Sequence, residues 1–365
     1  MDQQQDQLLA ALCSIYGDSV DFLSLAAPTA RAQSWLDAKG IRVKVLRGIY
    51  PLLAYLNTTL WYGGGAVLCN KLRWVDRFYF PLRTPLPGSW IDRYSVIVCY
   101  YPWGHRLLRL DRAGNKVIMD LGDIMADRHE RVGARRWITM TTKDENAVFH
   151  SGARCVAVSE SDAQEFEKLY GVRAAVMNFV PPDHRELLEI AEQERPPRIG
   201  FMGAPSYVNE EIMRLLAQPQ FLECLRQAGI ELVVAGGICR TVDPSLLRSL
   251  EQGGARVMGR VPSTMEYYRQ IGAALNPVGP TTGVKIKSIE ALVAGRTLIT
   301  TQWGVDSSLY RAFLGQIVYT DWPVDPQGLG RLAVEVVRSA SSRGASAARA
   351  YVEESERRLR ELHTI

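Results

Sequence analysis

The stretch "TTGVKIKSIEALVAGRTLIT" (residues 281–300) decides how this chain is read. It opens on a Thr-Thr-Gly turn and places Lys285 and Lys287 one residue apart. It then becomes an apolar run that Gly295 stops and a strand follows. Ile286, Ile289, Leu292 and Val293 recur at helical spacing, and a glycine past the last turn is the usual helix stop. The first backbone N–H groups of a helix lack intrahelical acceptors, and the helix dipole is positive there. Lysines at that end cost stability unless an anion neutralises them. Two residues apart, Lys285 and Lys287 point to different sides of the helix, and Glu290 shares the face of Lys287. One lysine then reaches a diphosphate while the other pairs with Glu290 or another carboxylate. The plainer alternative is two solvated lysines on an ordinary helix. A carboxylate one turn into the helix is placed to accept hydrogen bonds from sugar or ribose hydroxyls.

Outward from this stretch, strand and helix signals alternate along nearly the whole chain. "VDFLSLA", "IRVKVLR", "YSVIVCYYP", "KVIMDLGD" and "ARCVAVSES" read as strands in the first half, and "RIGFMGA", "IELVVAGG", "ARVMGRV", "AALNPVG" and "TLITTQ" in the second. Continuous apolar strands separated by helices predict parallel sheets covered on both faces. The fold class is α/β, two doubly wound Rossmann-like domains facing a cleft. The predicted organisation is a first domain over 1–181, a linker over 182–197, a second domain over 198–325, and C-terminal helices over 326–365 packing back across the cleft. The linker is read from "PDHRELLEIAEQERPP", which is charged and ends in two prolines.

At 365 residues the chain has length for two domains, and 47% hydrophobic with 22% charged residues is a globular composition. A net charge of +4 suits an anionic small molecule or a membrane surface and is too weak to argue for nucleic acid. No apolar run reaches 18 residues. The opening "MDQQQDQLLAAL" has no basic region of a signal peptide, so a cytoplasmic protein is expected. The six cysteines form no Cys-x-x-Cys pair and read as buried thiols. The five histidines lack zinc-site spacing, so no metal is expected.

Strand ends in the second half converge on glycines and cations. "GFMGAPSYVNEE" places Gly203 at a strand end before a helix capped by Asn209. "AGGICR" ends a strand with Gly236, and "VMGRVPS" ends another with Gly259 and Arg260, whose planar fork suits a phosphate. Ligands of open α/β sheets bind at these carboxyl ends. The segment 56–90 mixes aromatics, glycines and arginines, and reads either as a helix plus loop or as a surface for acceptor or anionic lipid.

As an ordered set, "GFMGAPSYVNEE", "ELVVAGG", "ARVMGRVPSTMEYY" and "ALNPVGPTTGVKIKSIEALVAGRTLITTQWGV" resemble the donor domain of GT-B glycosyltransferases of the family 4 type. Lys287, Glu290, Ala291, Leu292, Gly295 and Thr300 match that family's pattern. The resemblance implies a retaining glycosyltransferase of hexosyltransferase type. It would move a sugar from a nucleotide-diphosphate donor to a glycan or lipid-linked acceptor in glycoconjugate biosynthesis, without an obligatory metal. It further implies donor-binding roles for Gly203, Gly236, Arg260, Thr282, Gly283, Val284, Lys285, Lys287 and Glu290. Glu290 falls near the ribose, and the Gly283 turn with its lysines near the diphosphate. Many family members carry a second glutamate where this chain has Thr282.

The first half resembles the family's acceptor domain, with "KVIMDLGDIMADRHERVG" standing where a frequent pattern is Asp-x-His-Asp. Gly122 occupies the histidine position. Asp123, Asp127 and His129 are the ionisable substitutes, and the catalytic candidates are Asp123, His129, Lys287 and Glu290. Ser159 or Ser161 caps the helix after "CVAV". The strand that usually opens the family's first domain has no counterpart before "DQLLAALCSIYG". A non-catalytic sugar-nucleotide-binding or partner subunit is therefore the competing expectation.

Overall fold

The computed structural model describes residues 9, 12, 13, 16–24, 30–38, 40–45, 88–100, 102–122, 142–280, 284–339 and 344–361. The chain divides into two compact units: Met1–Asn178 with Arg358–Ile365, and Phe179–Arg357.

In the first unit, β1 (Asp21–Ser24) and β2 (Arg42–Val45) form a parallel pair. β3 (Ile97–Tyr100), β4 (Val117–Asp120), β5 (Arg154–Ala157) and β6 (Ala175–Val176) form a four-stranded parallel sheet in sequence order. Side chains alternate across it. Val117, Met119, Cys155 and Ala157 pack with Phe149, Phe166 and Tyr170, whereas Ile118 and Val156 pack with Met177 on the other side. β4 is buried along its length, which is why it reads as an unbroken apolar run. Ser159, not Ser161, caps the helix Glu160–Tyr170: its Oγ accepts from the Asp162 N–H at 3.0 Å.

The second unit is built on a six-stranded sheet of β7 (Arg198–Met202), β8 (Glu231–Ala235), β9 (Arg256–Gly259), β10 (Ala273–Asn276), β11 (Thr297–Thr300) and β12 (Ile317–Tyr319). The spatial order is β12-β11-β10-β7-β8-β9 and every pairing is parallel. Period-two alternation feeds two cores. Val233, Ala235, Ala274 and Leu298 face the helices His184–Ala191, Thr264–Tyr268, Ile286–Val293 and Gly344–Glu361. Leu232, Val234, Leu275 and Ile299 face Tyr207–Leu216, Pro219–Ala228 and Pro326–Ser339. Gly200 in β7 makes room for one of these layers, since a Cβ there would lie 2.6 Å from the Tyr267 hydroxyl and from Ile271.

Two expectations about organisation need correction. The segment 182–197 is not a bare linker: it holds the helix His184–Ala191, whose Leu187 and Ile190 are wholly buried in the core of the second unit. Its charges occupy the outer face of an amphipathic helix, which the prolines at its end disguised. The tail also differs. Helix Pro326–Ser339 completes the second unit by burying Leu329, Ala333 and Val336. Gly330 there approaches so closely to Cys224 that a Cβ would meet it at 2.7 Å. Residues up to 357 of the last helix, with Ala348, Tyr351 and Val352, fill the opposite core of the same unit. The sheet has two apolar faces, and the 198–325 segment alone does not cover them.

Among the described residues, no group of His, Cys, Asp or Glu is arranged to hold a metal ion, and no helix is long and apolar enough to cross a membrane. Burial pushes the thiols of Cys99 and Cys155 up to about 12 and about 11, which suits core packing rather than nucleophilic chemistry.

Candidate donor site at the sheet switch point

The chain enters the second sheet at β7, proceeds to β8 and β9 on one side, and returns to add β10 on the other. The crevice at the carboxyl ends of β7 and β10 is therefore the topological switch point, where open α/β sheets bind ligands. Two helices start there. Tyr207–Leu216 follows β7 and is capped by Ser206, whose Oγ accepts from the Asn209 N–H. Ile286–Val293 follows β10, with Lys285 at its N-cap position and no side-chain cap from that residue. Its start is pinned from below: Asn276 Nδ2 donates to Ser288 Oγ at 2.7 Å, and Thr300 Oγ1 donates to the Asn276 carbonyl at 2.7 Å.

Lys287 turns inward, its Nζ donating to Asn209 Oδ1 and lying 4.7 Å from the centroid of the Phe201 ring. Its side chain keeps slight exposure while protein atoms enclose the ammonium. That desolvation lowers its pKa from 10.5 to about 7, with Lys285 pushing the same way and Glu290 opposing. One turn on, Glu290 is 4% exposed. The Tyr268 hydroxyl lies 3.3 Å from its Oε2 and 3.2 Å from the Lys287 carbonyl, sharing one proton between two acceptors. Burial, and then the charge of Glu290, holds the Tyr267 and Tyr268 phenols well above their ordinary range.

The strand-end glycines form a ladder. Gly203 N–H donates to the Ala235 carbonyl at 3.0 Å, and Gly236 N–H to the Gly259 carbonyl at 2.7 Å. Gly236 has φ of 104°, and a Cβ there would stand 2.3 Å from the Gly203 carbonyl oxygen. These glycines thus let the ends of β7, β8 and β9 close on one another. Arg260, next along, is exposed.

The structure brings Lys285, Lys287, Glu290 and Val284 together at one helix start and puts Gly203, Gly236 and Arg260 on the same sheet edge. Asn209 is not the helix cap. Helix geometry begins at Tyr207, so the Ser206 hydroxyl takes that role and the Asn209 amide is left for Lys287. Thr282 and Gly283, Asp123, Asp127 and His129, and residues 56–87 of the aromatic segment, lie outside the described residues. Gly122 is described: it has φ of 56°, and its N–H donates to Asp120 Oδ1 at 3.2 Å. Sequence reasoning missed Phe201, Tyr268, Asn276 and the true role of Asn209. The paired tyrosines of "MEYYRQ", both 1% exposed, were the signal in the sequence that could have found Tyr268.

Residues 196–314 match the family model described as Glycosyl transferases group 1. No curated protein matches the sequence. Among solved structures, HepE of Anabaena in complex with UDP superimposes with a TM-score of 0.61 at 13% identity, covering 98% of this chain and 94% of that one. WaaG, a glycosyltransferase involved in lipopolysaccharide biosynthesis, gives a TM-score of 0.56 at 14% identity over 98% and 94%. A glycosyltransferase from Rickettsia africae ESF-5 gives 0.54 at 14% over the same shares. The fold is thus the GT-B fold of glycosyltransferases, and the likeness to group 1 members read from the motifs holds in the half that carries the switch point.

Proposed function

We propose that this protein transfers a sugar, with retention of anomeric configuration, from a nucleotide-diphosphate donor to a glycan or lipid-linked acceptor in polysaccharide or glycoconjugate biosynthesis. One observation carries the reading: two lysines at a helix start on the switch point, with a buried carboxylate one turn behind them. Cations and helix N–H groups stabilise a departing diphosphate, the charge that develops as the glycosidic bond breaks. Glu290 accepts from ribose hydroxyls, and Arg260 and the 282–285 segment complete the donor contacts. The UDP held by HepE supports a nucleotide ligand for this fold.

In this reading the chemistry needs no obligatory metal, because lysines take the place of one, and the expected outcome is that EDTA leaves turnover unchanged. Asp123 and His129 are the proposed acceptor-side groups. The proposed setting is the cytoplasm, with peripheral membrane contact through 56–90. The decisive experiment is a thermal-shift screen of UDP-, GDP- and ADP-sugars followed by a hydrolysis and transfer assay with the donor that stabilises. Failure of all three donors to shift the melting temperature or to turn over would overturn the proposal. A second reading, a non-catalytic donor-binding subunit, is favoured by Gly122, which carries no side chain where the family's frequent pattern places a histidine. Binding without turnover would select it.

A further inference from the structure

We infer that Asn209 is a positioning residue for the proposed transfer: it fixes the Lys287 ammonium between the two helix starts, so that the charge meets the donor's diphosphate at a set place. This rests on the nucleotide-sugar reading above. Lys287 arrives from the β10 side of the crevice, and Asn209, only 7% exposed, from the β7 side. The amide is locked in orientation because its Nδ2 donates to the Ala204 carbonyl at 2.7 Å. A flipped amide would set an NH2 group against an ammonium and one carbonyl against another, so Oδ1 is the atom presented to Lys287. The Phe201 ring face, also from β7, bounds the ammonium on a second side.

The chemistry of the acceptor matters. An amide oxygen takes one of three ammonium protons and leaves the charge in place, whereas a carboxylate there would neutralise it. A lysine stem has several rotatable bonds, and pinning it beforehand removes an ordering cost from ligand binding. The Ala204 contact further ties the orientation of Asn209 to the Gly203 turn, so both halves of the switch point determine where the charge sits.

A double-mutant cycle tests this, read as the dissociation constant of whichever of UDP, GDP and ADP binds the intact chain most tightly. N209L removes the acceptor at similar volume, and N209A does so if N209L does not fold. The expected result is at least tenfold weaker binding for Asn209→Leu in the natural chain, but less than a twofold further change when Lys287→Met is already present. Equal losses in both backgrounds would show that Asn209 acts independently of Lys287 and would overturn the inference. So would wild-type affinity in N209L while K287M alone weakens binding, an outcome that leaves the nucleotide-sugar reading standing. If none of the three nucleotides binds the intact chain, that reading falls and this one with it.

Discussion

Lys287 carries a stability cost, and in the proposed reading it also binds the donor. Its pKa near 7, against an ordinary 10.5, means that below pH 7 the folded state holds a desolvated ammonium. Between about 7 and 10.5 the unfolded chain binds the extra proton, so stability rises with pH across that window. The expected outcome is that Lys287→Met is more stable than the natural chain at pH 7 and that the gap narrows by pH 9, as urea denaturation will show. Binding runs the other way. A diphosphate draws a proton back onto the lysine, so affinity is full below pH 7 and weakens above it, by at most about tenfold per pH unit. Titration calorimetry with UDP at pH 6.5, 7.5 and 8.5 checks this, and Lys287→Met abolishes the dependence. For Glu290→Gln we expect kcat/KM to fall between about tenfold and a hundredfold, the loss of roughly 1.5–3 kcal/mol from a charged hydrogen-bond acceptor. Charge and spacing made Lys287 and Glu290 readable in the sequence. Their partners were not, because Asn209 is 78 positions from Lys287 and Tyr268 is 22 from Glu290, and only the fold joins them.

At the level of strands and helices, the glycine ladder makes a sharp prediction. Gly236→Ala places a methyl against the Gly203 carbonyl oxygen at a backbone angle that L residues rarely adopt. A destabilisation of about 2–4 kcal/mol is expected from that clash and strain, measured as a lowered urea midpoint at unchanged slope. Gly254, with φ of 89° and open space around it, is the control: its alanine variant suffers the strain alone. The strands were legible from short apolar runs or, in β2, from alternation, and all of those quoted formed. The helix 184–191 was not, because three of its eight residues are charged and the apolar set Leu187, Leu188, Ile190 and Ala191 shows only when wound at 3.6 residues per turn.

The molecule as a whole is two units, and their composition sets what can be cut. Fragment 179–357 retains both faces of the six-stranded sheet and is expected to give a single cooperative melt. Fragment 198–325 loses Leu187, Ile190, Leu329, Ala333, Val336 and Tyr351 from its cores. At about 1.5–3 kcal/mol for each large buried side chain, that loss is comparable with the whole stability of an ordinary domain, and circular dichroism should show it unfolded.

The placement of the final helix has a consequence for biosynthesis. Leu359 packs with Leu12, Val96, Ile118, Val156 and Met177, so a residue more than 300 positions downstream of Leu12 joins its cluster. All of 179–357 leaves the ribosome before Leu359 does. The later unit in the sequence therefore has all its residues before the earlier one does, and the earlier one waits, with a small apolar patch open, for Leu359.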